Sequence, residues 1–303
     1  MNQKESTTPV VEVDNLSRHF GRKDALHGVT LAIQPGTVFG LVGENGAGKT
    51  TLVRHLLGLL KPQSGTVRVF GLDPVANPPG VLARIGYLSE KRDIPLWMRV
   101  EELMRYTAGF YPGWDHAYAA DLMRKFGLRP ADRLRTLSNG QQARAALIAA
   151  VAYRPELLVL DEPSAGLDAV VRRDILSAII RTVSEEGRTV LFSSHLLDEV
   201  EHVSDHIAMI HHGKLVMSGP LDDVKQMHRR LTIVYETAPS RMPDLPGMLW
   251  CDGKGREWTV ISNGKLPDLR TAVQRAGAQI VEEDVPSLEE IFIARVASQP
   301  AEE

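Results

Sequence analysis

Eight residues, Gly43-Glu44-Asn45-Gly46-Ala47-Gly48-Lys49-Thr50, constrain this chain more than any others, because they fit the pattern G-x-x-x-x-G-K-[ST]. Before them the apolar run Val38 to Val42 reads as a buried strand, and after them Thr51 to Leu60 has apolar residues at helical spacing. A glycine-rich loop between a strand and a helix can curl until successive N–H groups face one point, at the positive end of the helix. That arrangement is a cradle for phosphate. Gly43, Asn45, Gly46, Ala47 and Gly48 form it. Lys49 supplies a point charge to β- and γ-phosphates, Thr50 offers a hydroxyl to Mg²⁺, and Thr51 continues the helix start.

A second chemical centre follows at Leu157-Leu158-Val159-Leu160-Asp161-Glu162-Pro163, where two carboxylates end an apolar strand. Ligands of α/β proteins gather at such strand ends. Asp161 suits Mg²⁺, and Glu162 suits polarising a water for attack on a γ-phosphate. Further strand-like runs occur at Val10 to Val13, Val29 to Ile33, Thr189 to Phe192 and Ile207 to Ile210. With helical patterns between the later ones, they predict an α/β core built on a mostly parallel sheet. Residues 91–153 read as a helical subdomain, with apolar helical spacing in Val100 to Tyr111 and Tyr118 to Phe126. His212-Gly213 suits a hairpin turn.

The character changes near Met227-His228-Arg229-Arg230, which sets an expected division into residues 1–230 and 231–303. The second part alternates short strands (Leu231 to Tyr235, Met248 to Cys251, Trp258 to Ile261, Gln279 to Glu282) with a helix, Leu266 to Ala276. It reads as a small α+β unit whose last helix opens on the capping-box pattern Ser287-Leu288-Glu289-Glu290.

Leu137-Ser138-Asn139-Gly140-Gln141-Gln142 precedes a strongly helical run, Ala143 to Ala152. Alone it is a serine helix cap. Together with the two motifs above it resembles the signature motif of ABC ATPases, usually Leu-Ser-Gly-Gly-Gln, with Asn139 at the third place. The resemblance spans about residues 10–225. Ser164-Ala165-Gly166-Leu167-Asp168 looks like that family's D-loop, His195 like its switch histidine, and Phe20 like the aromatic that stacks on adenine. What the resemblance implies is a phosphate-loop core with an antiparallel β subdomain, a helical subdomain and a C-terminal accessory domain. It also implies ATP and Mg²⁺ as ligands and a head-to-tail pair of copies, or a copy with a related ATPase subunit. Each ATP would then meet the phosphate loop, Asp161 and Glu162 of one protomer and Ser138, Gly140 and Gln141 of the other. Family members usually carry glutamine where this chain has Glu90, which can coordinate Mg²⁺ or water but cannot donate an amide hydrogen bond.

The chain's 35 basic and 38 acidic residues nearly balance, and no dense Lys/Arg run argues for nucleic acid. The polar start, Met1 to Thr8, lacks the form of a secretory signal, and the lone Cys251 fits a reducing compartment. No apolar run approaches the roughly 20 residues of a spanning helix. The expected setting is therefore the cytoplasmic face of a membrane, with the pore in a separate permease. The tail is similar to that of ABC-2-type exporter ATPases, and Ile94-Pro95-Leu96-Trp97-Met98 is expected either to dock on the permease or to pack inside the helical subdomain. An ABC ATPase acting as a switch on ribosomes or DNA, and a phosphate-loop kinase or GTPase, are the competing readings.

Overall fold

β3 (Val38–Val42) is buried at every residue, as befits a strand covered on both faces. The computed structural model describes residues 8–184, 187–239 and 245–298, with side chains throughout except at 178–184, so most of the polar N-terminal stretch lies outside the described residues. Two compact units emerge, Met1–Ser218 and Gly219–Glu303.

In the first unit β1 (Val11–Phe20) pairs antiparallel with β2 (Lys23–Ile33), and β3 leads through the glycine loop into α1 (Lys49–Leu56). There follow β4 (Ser64–Val69), α2 (Pro78–Leu82) and β5 (Ile85–Leu88), then the helices α3 (Val100–Ala108), α4 (His116–Lys125) and α5 (Asn139–Val151). β6 (Leu157–Asp161), α6 (Ala169–Ser184), β7 (Thr189–Ser194), α7 (Leu197–Val203), β8 (His206–His211) and β9 (Lys214–Pro220) complete the unit. Three strands form a sheet in the order β2-β1-β4, and six form another in the order β5-β6-β7-β3-β8-β9. Within the larger sheet β5, β6, β7, β3 and β8 run parallel, each to its neighbour. This is the α/β core expected from the alternation of elements. β1 and β2 run longer than the expected strands because bulges between Val13 and His19 absorb residues that break the alternation.

In the stretch that carries α3, α4 and α5, helix starts are set by caps. Asp115 accepts from the Tyr118 N–H at 2.8 Å to start α4, and Ser138 and Gln141 form a reciprocal capping box on α5. The β8–β9 turn uses His212 and Gly213, both at positive φ (45° and 75°), as a tight hairpin requires.

Helix α7 lies close on β3. A Cβ at Gly40 would come within 2.2 Å of Val200 Cγ1 and 2.6 Å of Ser204 Oγ, so only hydrogen fits there. Val200 is fully buried and β-branched, so it has little room to yield. Gly40→Ala is expected to destabilise the protein by about 1–3 kcal/mol, the usual cost of overpacking, read as a lower denaturant midpoint. An unchanged midpoint would show that α7 shifts freely.

The second unit begins with α8 (Leu221–Gln226), and its strands β10 (Arg229–Tyr235), β11 (Met248–Lys254), β12 (Glu257–Ser262) and β13 (Ala278–Asp284) form a sheet in the order β11-β12-β10-β13. Helix α9 (Leu266–Arg275) buries Leu269 and Val273 against Leu231, Ile233 and Val260, and Cys251 packs at the edge of this core. Ser287 caps α10 (Leu288–Ala297), with its Oγ accepting from the Glu290 N–H. The division falls at Ser218/Gly219, earlier than the 230/231 expected from composition. One reason is visible in the side chains. Buried His228, just after α8, accepts at Nε2 from Arg295 Nε of α10 at 3.1 Å, which ties the α8 segment to the second unit.

Candidate active site

The carboxyl ends of β3, β6 and β7 stand side by side, because Val42 pairs with Ser194 and Asp161 with Ser193. One strand further, Leu88 pairs with Leu160, which sets Glu90 at the same edge. Residues far apart in sequence are thereby gathered at one end of the sheet, where open α/β sheets bind ligands.

The loop leaving β3 has the backbone a phosphate cradle needs. Gly46 and Gly48 sit at φ 83° and 117°, and a Cβ on Gly48 would lie 2.4 Å from the Ala25 carbonyl oxygen. Any larger residue would push β2 away. The Gly213 N–H donates to the Ala47 carbonyl at 2.9 Å, so the β8–β9 turn braces the loop from behind. Helix α1 starts at Gly48 with no side-chain cap, leaving its first N–H groups to be satisfied from outside the helix.

Lys49 is buried, and its Nζ donates to the carbonyls of Gly43 (2.5 Å) and Glu44 (3.2 Å). The same ammonium lies 2.9 Å from Glu162 Oε1 as an ion pair whose geometry is not that of a hydrogen bond, so Oε1 keeps acceptor capacity. On the other side Glu162 Oε2 is 2.7 Å from His195 Nδ1. With Nδ1–H donated to the carboxylate, Nε2 is the ring atom left for another partner. Glu162 sits at φ 50°, a left-handed conformation that costs a non-glycine residue on the order of 1 kcal/mol and recurs at functional sites.

Lys49, Thr50, Thr51, Glu90 and Glu162 line a cavity of about 330 Å³ with Asn45, Gly46, Gly48 and Phe20. Phe20 is 45% exposed and carries the Arg18 guanidinium 4.8 Å above its ring, so it is a surface aromatic at the cavity and not a core residue. Lys23 and Ala25 also line the cavity, and the sequence reading missed both. Their signal was the hairpin register, in which Lys23 pairs with Phe20 across the Gly21-Arg22 turn.

Ser138, Gly140, Gln141 and Asp168 are not among the residues lining this cavity. Ser138 is exposed at the start of α5, and a Cβ on Gly140 would meet Val171 Cγ2 at 2.6 Å, so the glycine serves packing against α6. Asp168 Oδ1 accepts from the N–H groups of Val170 and Val171 at 3.0 Å, capping α6. Within one chain these signature and D-loop positions are structurally satisfied and stand apart from the phosphate loop.

Asp161 is almost fully buried, and Ser193 Oγ donates to its Oδ1 at 2.7 Å. Thr50 and Glu90 reach the cavity itself. Three hard oxygen donors of this kind fit Mg²⁺. Arg92, on the loop after Glu90 and also at positive φ, donates its guanidinium to the Ala165 carbonyl in the loop after Glu162.

Fold and site together are those of a phosphate-loop ATP-binding protein. The family profile described as ABC transporter matches residues 26–165. The ABC transporter ATP-binding protein NatA of Bacillus subtilis is 33% identical over 236 residues, 75% of this chain and 96% of that one. The daunorubicin/doxorubicin resistance ATP-binding protein DrrA of Streptomyces peucetius is 35% identical, covering 72% of this chain and 67% of its own length. A solved ATP-binding subunit of an ABC transporter superposes with a TM-score of 0.65 at 27% identity, over 72% of this chain and 92% of the other. The chain belongs to the ABC transporter family, as one of its ATP-binding ATPases.

Proposed function

We propose that the chain is the ATP-hydrolysing subunit of an ABC-2-type exporter, driving a separate transmembrane permease from the cytoplasmic face of the membrane. In this reading two copies, or this copy and a related subunit, close head to tail around ATP. Exposed Ser138, with Gly140 and Gln141, would complete the site across the pair. The name of the DrrA relative, a drug-resistance protein, supports export.

Hydrolysis in this site is work for its own residues. The phosphate loop and Lys49 bind and orient the triphosphate, Glu162 holds a water in line with the γ-phosphate and accepts its proton, and His195 orients the Glu162 carboxylate. Thr50, Asp161 and Glu90 would hold Mg²⁺, which neutralises charge on the phosphate oxygens.

One observation carries the permease reading. Beside Glu90, a groove of about 460 Å³ is lined by Leu57, Leu59, Leu82, Tyr87, Ile94 and Tyr106 among others, and several of these apolar side chains are exposed. Trp97 is 72% exposed, whereas Met98 is 7% exposed, so of the two only Met98 packs inside. Among the described residues no helix is long and apolar enough to cross a membrane. An exposed tryptophan next to an apolar groove suits docking of a helical element.

Trp97→Ala should leave the ATPase rate of the isolated subunit unchanged while lowering the rate of the complex purified with its membrane partner several-fold, both read by phosphate release. Equal losses in the two preparations would make Trp97 a folding residue. Recovery of ribosomes, and not an integral membrane protein, with the tagged native subunit would overturn the transporter reading.

A further inference from the structure

Behind the residues that face the cavity lies a carboxylate that the chemistry above does not use. Glu199, in the first turn of α7, is 2% exposed. Its Oε2 accepts from Ser164 Oγ at 2.7 Å and from Ser194 Oγ at 3.1 Å, and its Oε1 lies 3.0 Å from Arg172 Nε on α6. Burial pushes this carboxyl up from its usual range, while the two hydroxyl donors and Arg172 pull the other way.

The two serines belong to different segments of the site. Ser164 stands two residues after Glu162, in the loop that Arg92 holds by the Ala165 carbonyl. Ser194 ends β7 immediately before His195, and its Oγ also accepts from the Leu196 N–H at 3.0 Å, closing the turn that presents the histidine. A single oxygen atom therefore pins both backbone segments whose side chains meet in the 2.7 Å contact between His195 and Glu162. An acidic side chain in the first turn of a helix also favours that helix through its dipole, a role that needs neither serine.

We propose that Glu199 is a positioning residue for hydrolysis, which through Ser164 and Ser194 holds Glu162 and His195 in mutual register. This rests on the reading of Glu162 and His195 as the hydrolytic pair. Small displacements of such a pair lower turnover more than substrate binding, because the ground-state contacts to ATP lie elsewhere, on the phosphate loop and Lys49.

The test uses the full chain carrying Glu199→Gln, which keeps the shape but replaces one acceptor oxygen with an amide donor. We expect kcat to fall about tenfold to a hundredfold, with KM for ATP and the thermal midpoint close to wild type. Ser164→Ala, a smaller change that removes one donor to Glu199, should show a loss of the same kind. In a His195→Ala background, Glu199→Gln should lower kcat by a clearly smaller factor than in wild type, since part of its effect runs through the histidine. Wild-type kcat in Glu199→Gln beside a slow His195→Ala overturns the proposal alone. A full additive loss in the double variant, or a kcat loss that tracks a lowered thermal midpoint, reduces Glu199 to a structural role. Undiminished turnover in His195→Ala would instead remove the hydrolytic pair itself, and the proposal with it. Should Glu199→Gln fail to fold, Ser164→Ala alone and with His195→Ala decides by the same criteria.

Discussion

Lys49→Ala is expected to weaken ATP binding by about one to two orders of magnitude, from the loss of charge-assisted contacts worth about 1.5–3 kcal/mol to the phosphates. Equilibrium binding of a labelled ATP would measure it, and wild-type affinity would remove the phosphate loop from the site. The structure adds a second effect. Lys49 is the cation 2.9 Å from Glu162 Oε1, with both side chains nearly buried. Removing one member of a buried pair strands the other, typically at a cost of about 3–5 kcal/mol. The single variant should therefore unfold more easily than wild type, while Lys49→Ala with Glu162→Gln recovers stability without recovering affinity. That separation shows the binding loss to be local and not a consequence of unfolding.

Glu162→Gln should leave ATP affinity near wild type and slow turnover by about 10²–10⁴, the usual contribution of a general base. Its two oxygens are committed differently, Oε1 toward Lys49 and Oε2 to His195 Nδ1. An amide that keeps its oxygen on the Lys49 side turns NH₂ toward the imidazole, which must then accept at Nδ1 and carry its proton on Nε2. The tautomer is inverted as well as the base lost. Single-turnover phosphate release would read the slow step, and light scattering would show an ATP-dependent dimer accumulating. Normal turnover by a monomeric variant would exclude Glu162 from the chemistry.

The parts of the site that sequence reading reached are those whose chemistry is local. The loop from Gly43 to Thr50 needs its glycines and lysine consecutively, and Asp161-Glu162 needs only the end of a strand. Helix α5 was equally readable, because Ser138 and Gln141 cap each other within one turn. What could not be read depends on register or on burial. Lys23 reaches the cavity only because the β1–β2 hairpin pairs it with Phe20. Leu197-Asp198-Glu199-Val200-Glu201 looks like a solvated acidic helix, and nothing in that string says that Glu199 alone is taken into the interior by Ser164, Ser194 and Arg172. The division between the units likewise follows the side-chain contact of His228 with Arg295, which joins residues far apart in the chain.

The close approach of α7 to β3 makes the space at Gly40 a shared quantity. Val200 and Ser204 occupy it entirely, so a side chain larger than hydrogen at position 40 requires a smaller one at position 200 or 204. Glu199 is the neighbour of Val200, and its carboxylate reaches two serines over hydrogen-bond lengths that tolerate little displacement. A methyl group added in the middle of a buried strand would thus be felt at the turn bearing His195, although Gly40 belongs to none of the nucleotide motifs. Inactivating changes in this chain should map to such ordinary-looking core glycines as well as to the phosphate loop.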